Sequence, residues 1–177
     1  MWILIILSIV VLVIFLWQIS NLISVFFGSL YVKTQRDVIQ KALKSAEVKK
    51  GDVFYDLGCG NGDVLIEAAK IGAKTVGFEI SPYYYILSKL RTLFFRGLYY
   101  FTCSSMIEGI DVRFKNILDV DLGNADVVYV YLLPKLLSQI DFSKVKKDAR
   151  IISIGFAIKG IKGKKYRIFG HNIFIYQ

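Results

Sequence analysis

Asp56-Leu57-Gly58-Cys59-Gly60-Asn61-Gly62 sets three glycines at alternate positions just behind a carboxylate. The string follows an apolar run, Val53-Phe54-Tyr55, and precedes Asp63-Val64-Leu65-Ile66-Glu67-Ala68-Ala69, which has helical periodicity. A second carboxylate, Glu79, closes the next apolar run, 21 positions after Gly58. Strand, glycine turn, helix, strand and acid is the layout of a nucleotide-cofactor site. Glycines let a chain turn sharply and let a ligand lie directly on the backbone. Where a dinucleotide fingerprint places its third glycine, this chain has Asp63. A carboxylate suits a helix start but repels a pyrophosphate. The spacing therefore predicts a ligand without phosphate at that point. An adenosine carrying a zwitterionic amino-acid end fits, with Glu79 on its ribose hydroxyls.

The elements that must position these residues follow from periodicity and punctuation. Thr34 to about Val48 reads as an amphipathic helix with Thr34 at its N-cap. Strands are expected at 53–57, 74–80, 110–114, 125–131 and 149–156, with helices at 63–71, from Pro82 to about Arg96, and from Pro134 to about Ile140. Tyr166–Phe169 and Asn172–Tyr176 read as a closing hairpin whose turn, Gly170-His171-Asn172, leaves His171 solvated. The expected fold class is α/β, a doubly wound, mostly parallel, seven-stranded sheet.

Residues 1–32 contain no charged side chain, and Trp2 to Trp17 is broken only by Ser8. A helix over 2–27 would measure about 39 Å, enough to span a bilayer with some tilt. A cleaved signal peptide fits less well, because no basic segment precedes the apolar core. Lys33, Arg36, Lys41, Lys44, Lys49 and Lys50 follow it against Asp37 and Glu47. The positive-inside rule thus predicts a single-pass membrane protein with its bulk in the cytoplasm. Residues 1–32 are read as a transmembrane anchor and 33–177 as the catalytic domain. The net charge of +9 includes a second basic concentration over 144–167. Beside an anchor, attraction to an anionic leaflet explains it. Nucleic acid is the disfavoured partner, since no RNA-binding motif accompanies the charge. Cys59 and Cys103 have no metal-ligand spacing, so no metal is expected, and Cys59 reads as a small residue filling the turn.

Asp56 to Gly62 resembles the S-adenosylmethionine motif of class I methyltransferases, with Glu79 where that family keeps its ribose-binding acid and Ile80 beside it. The resemblance implies that Asp56, Gly58, Cys59, Gly60 and Gly62 line the methionine and ribose portion of S-adenosyl-L-methionine. More of the chain is similar to the small membrane-associated protein-lysine methyltransferases of the adenine nucleotide translocase and ATP synthase c subunit, and to their prokaryotic relatives. The likeness is carried by the apolar N-terminus, Tyr31-Val32-Lys33-Thr34, the glycine turn, Val130-Tyr131-Leu132-Leu133-Pro134 and Arg150-Ile151-Ile152-Ser153. In that family a Y-V-P-T segment helps to close the cofactor site, which implies a role for Tyr31 and Thr34; here Lys33 replaces the proline. The family's residue near the adenine corresponds to Asn116, with Asp119 as the alternative.

Methyl transfer from a sulfonium needs alignment and exclusion of water more than it needs acid–base groups. Tyr131 is the residue expected to line the acceptor channel, or else to fill core space at a strand end. Y-L-L-P lacks the amide or carboxylate with which N-P-P-Y enzymes hold a planar amine, so adenine and glutamine amides are disfavoured acceptors. A lysine on a membrane-associated protein is the leading expectation. A lipid acceptor, or a non-catalytic cofactor-binding tether, is the alternative. Tyr83-Tyr84-Tyr85, Phe94-Phe95 and Tyr99-Tyr100-Phe101 crowd aromatics among Lys89, Arg91 and Arg96. Residues 94–106 are therefore expected to touch the membrane interface.

Overall fold

The computed structural model describes residues 1–26, 32–103 and 109–177. Within them, α1 (Trp2–Phe26) precedes α2 (Arg36–Ser45), β1 (Val53–Leu57), α3 (Asp63–Ile71), β2 (Lys74–Glu79), α4 (Pro82–Cys103) and β3 (Ile110–Phe114). Then come β4 (Val127–Val130), α5 (Pro134–Leu137), β5 (Arg150–Ile154), β6 (Lys164–Ile168) and β7 (His171–Tyr176). One sheet runs β3-β2-β1-β4-β5-β7-β6. Its first five strands are parallel, and β7 runs antiparallel between β5 and β6. This is the doubly wound layout expected from the alternating elements.

Apolar residues bury both faces of the sheet. On β4, Val127 and Tyr129 join Val38, Ile39 and Leu43 of α2 and Val64 and Ala68 of α3. Val128 and Val130, pointing the other way, join Leu57, Leu136 and Leu137. Alternation along one strand thus feeds two cores. The buried ion pair between Arg150 and Asp52 (2.7 Å) ties the start of β5 to the loop before β1. The same guanidinium donates to the carbonyls of Ala46 and Glu47 and so holds the end of α2.

Several boundaries differ from expectation. Helix α2 starts at Arg36, and Gln35 rather than Thr34 holds the N-cap position. Thr34 is buried, turned from the helix end toward the site. Helix α2 stops at Ser45, because the chain reverses through Glu47 (φ 52°) and the Val48 N–H returns to the Leu43 carbonyl. Helix α4 runs past Arg96 to Cys103. Gly97 costs only about 1 kcal/mol in a helix, while Phe95 and Tyr99 beyond Thr92 pack on the third core cluster. The hairpin turn is Phe169-Gly170, with Ile168 paired to His171. His171 is therefore not solvated in a turn. It opens β7 half-buried, its ring edge against Tyr131 at 6.5 Å between centroids.

Candidate active site

The C-terminal ends of β1, β2 and β4 meet where the strand order reverses, the place where open parallel sheets bind ligands. The chain leaves β1 through Gly58, whose N–H, like that of Cys59, donates to the Phe78 carbonyl of β2 (2.9 and 3.0 Å). Gly58 has φ 85° and Gly62 has φ 80°. A Cβ at Gly58 would meet Leu132 at 3.3 Å, and one at Gly62 would meet Thr92 and Ser88 of α4 at 3.3 and 3.4 Å. Conformation and space both select glycine there. Cys59 fills the turn as expected, and the room for it comes from Gly77 on β2. A Cβ at Gly77 would lie 2.7 Å from the Cys59 sulfur.

Glu79 turns back onto this loop. Its carboxylate accepts N–H bonds from Gly60 (2.8 Å), Ile80 (3.0 Å) and Ser81 (2.8 Å). These bonds favour the charged form, yet burial outweighs them and raises the carboxyl above its ordinary range. Asp56 lies deeper. Burial first, and the nearby Glu79 charge second, push its carboxyl well up. One Asp56 oxygen, Oδ2, is buried with no hydrogen-bond partner among the described residues. The Tyr129 hydroxyl is likewise buried without a partner among them. Burial and the Asp56 charge raise that phenol far above its ordinary range, and Thr34 offsets only part of this.

These groups line a cleft of about 60 Å³ together with Val32, Lys33, Thr34, Asn61, Asp63, Tyr84 and Tyr131. Small-molecule pockets usually measure roughly 300–1,000 Å³. Lys33, Asn61 and Tyr84 are among the side chains that narrow this one. The cleft shares Lys33, Thr34, Ile39 and Asp63 with a wider groove of about 750 Å³ between α2, α3 and α4. The donor set fits S-adenosylmethionine. Two buried acids without an ion-pair partner among the described residues suit a cofactor of net positive charge. Backbone without side chains suits close approach, and the acids Asp56, Asp63 and Glu79 on the cleft walls oppose a phosphate.

Of the residues named from sequence, Asp56, Gly58, Cys59, Gly60, Glu79, Thr34 and Tyr131 line the cleft. Gly62 stands behind it as the first residue before α3, and the Ile80 N–H secures Glu79. Asn116 is not among the lining residues. Its side chain accepts from the Leu118 N–H and caps the short helical turn Ile117–Asp119, on which Asp119 is exposed. Tyr31 lies outside the described residues. Sequence reasoning missed Tyr84, Tyr129 and Gly77. A glycine inside an apolar strand is a recognised sign of close approach and would have marked Gly77.

Residues 56–165 match the family described as the ANTKMT methyltransferase domain. A protein-lysine N-methyltransferase of Saccharolobus islandicus is 31% identical over 140 residues, covering 76% of this chain and 81% of that one. A ribosomal protein L11 methyltransferase of Clostridium perfringens is 29% identical over 133 residues, covering 73% of this chain but only 39% of that one. The structure of an RNA methyltransferase from Salinibacter ruber in complex with S-adenosyl-L-homocysteine superposes with a TM-score of 0.72 at 25% identity. It covers 82% of this chain and 92% of its own.

Proposed function

This chain belongs to the family of ANTKMT methyltransferase domains, and from that premise we propose that it methylates lysine on a membrane-associated protein. It is an S-adenosylmethionine-dependent methyltransferase. The observation that carries the lysine assignment is the match, over most of both chains, to a protein-lysine N-methyltransferase. When bound, S-adenosylmethionine supplies an electrophilic methyl group on a sulfonium.

The chain's own residues hold and shield that chemistry. Glu79 accepts from ribose hydroxyls while its backbone donors fix its position. Asp56 answers the cofactor's positive charge. Thr34 and Lys33 form the wall beside α2, and Tyr84, Tyr129 and Tyr131 supply aromatic surface that excludes water. A lysine entering such a site loses hydration, which lowers its pKa and favours the neutral amine that attacks. Tyr131 is assigned to the acceptor channel, held from behind by His171. Asn116 is assigned to the adenine end, at the tip of β3.

Helix α1 is long and apolar enough to cross a membrane, and its first 18 residues, Trp2–Ile19, include none buried in the protein. We assign it as a single span that leaves residues 33–177 facing the cytoplasm, where the cofactor is made. An anchor raises the effective concentration of membrane substrates. Incubating native membranes with the full chain and methyl-labelled cofactor, then fractionating, tests the acceptor. Label recovered as methyllysine after protein hydrolysis supports the proposal. Label in the solvent-extracted lipid, or in RNA, would overturn it.

A further inference from the structure

Helix α4 has two opposite faces. Ser88, Thr92, Phe95 and Tyr99 turn inward, against α3 and the glycine turn. Opposite them Ile86, Leu90, Leu93, Phe94, Leu98 and Tyr100 are each more than half exposed, up to 73% at Phe94. At about 100° per residue these six fall within an arc of about 160°. Three cations edge that arc, Arg91 on one side and Lys89 and Arg96 on the other, and α4 carries no acid. A soluble domain rarely leaves so continuous an apolar stripe uncovered.

We propose that this face of α4 lies in the headgroup layer of a lipid bilayer, beside the point where α1 enters it. The proposal rests on reading α1 as a span. Two observations choose lipid as the occupant. The stripe is continuous with α1, because α4 packs on α1 and the Trp17 side chain lies beside Tyr84. The flanking cations also match an anionic leaflet: Arg91 and Lys89 pair with Asp63 and Asp111, while Arg96 has no ion-pair partner among the described residues and can cover apolar surface with its stem and reach the phosphates with its head. The contact begins at Ile86, earlier than the segment 94–106 expected from sequence, and residues 104–108 lie outside the described ones. Its consequence reaches the site. Helix α4 starts just after Ile80 and Ser81, whose N–H groups hold Glu79, and Tyr84 is both a cleft wall and the neighbour of Trp17. The cleft mouth therefore opens at the membrane surface.

The test uses the full chain in vesicles of phosphatidylcholine and phosphatidylglycerol. Nitroxide labels are placed singly through Leu90→Cys, Leu93→Cys and Leu98→Cys in a Cys103→Ser background, Cys59 being buried. Leu12→Cys reports the span, and Ser138→Cys at the end of α5, across the sheet, reports water. Collision rates with oxygen, which concentrates in lipid, are compared with those of a water-soluble nickel chelate. The expected result is oxygen-dominated collision at Leu12 and at all three α4 sites, with the reverse at Ser138. A lipid-buried Leu12 with nickel-accessible α4 labels would overturn the proposal while leaving the span intact. A nickel-accessible Leu12 would overturn the span and the proposal with it. Dipolar broadening of α4 labels that disappears on dilution with unlabelled chain would assign the stripe to a second copy instead.

Discussion

Replacing Glu79 with glutamine separates what this acid does for the fold from what it does for the cofactor. The carboxylate accepts three backbone N–H bonds. Glutamine keeps one acceptor oxygen, which can stay on Ile80 and Ser81, and then sets an NH₂ against the Gly60 N–H. An unsatisfied buried donor costs about 1–3 kcal/mol. The neutral amide also escapes the burial penalty that raises the Glu79 carboxyl. The two contributions oppose, so net stability should change by less than about 2 kcal/mol, a few degrees in Tm for a chain of this size. Binding has no such compensation. Hydroxyl bonds to a charged acceptor contribute about 1.5–3 kcal/mol each, and losing that acceptor should cost about 2–4 kcal/mol, a Kd weakened ~30- to ~1,000-fold. Calorimetric titration of the full chain in detergent with S-adenosylmethionine, alongside thermal melting, measures both quantities. A folded variant that binds within threefold of the parent would refute the ribose role. A variant already unfolded at 25 °C would refute the compensation.

Gly62→Ala should lower stability by about 2–4 kcal/mol, from left-handed strain plus contact with Thr92 and Ser88; adding Thr92→Ser should restore part of the melting temperature, and no recovery would count against the steric account. Arg150→Met should cost about 3–5 kcal/mol, because Asp52 would be left buried without its partner; denaturant unfolding would show this, and a loss under 1 kcal/mol would contradict it. Asp56 and Glu79 have raised pKa values in the folded protein, so the native state binds more protons than the unfolded one and loses stability as pH rises from the ordinary carboxylate range through those raised values. A cationic cofactor favours their charged forms, so its binding should release protons and tighten with rising pH across the same window. Titrations in buffers of different ionisation enthalpy check this, and a buffer-independent heat there would exclude the linkage.

Local punctuation carried most of the fold. Gly62 and Gly72 bound α3 where a left-handed residue is needed, and both are visible as letters. The parallel order followed from alternating strands and helices. Legibility failed where a side chain had two possible employers. Thr34 has the chemistry of a helix cap, but the cleft claims it. Asn116 has the chemistry of a ligand donor, and its side-chain oxygen also accepts from the backbone N–H of Leu118. Local pattern could not decide either case, because the competitor in each is a tertiary neighbour or a turn just beyond a strand. The roles of Tyr84 and Tyr129 were hidden for a related reason. Apolar-looking aromatics in an apolar helix or strand look like core until the packing shows which ring faces the cleft.

On the membrane-bound reading, the packing of α1 on α4, with Trp17 beside Tyr84, also acts as a ruler. A domain on a loose tether samples many heights above its bilayer and reaches whatever passes. A domain whose cleft wall is pinned to its own anchor samples almost one. Its acceptors would then be sorted first by altitude. Lysines emerging within a side chain's reach of the lipid surface would be reachable, and those on tall extramembrane domains would not, whatever the sequence around them.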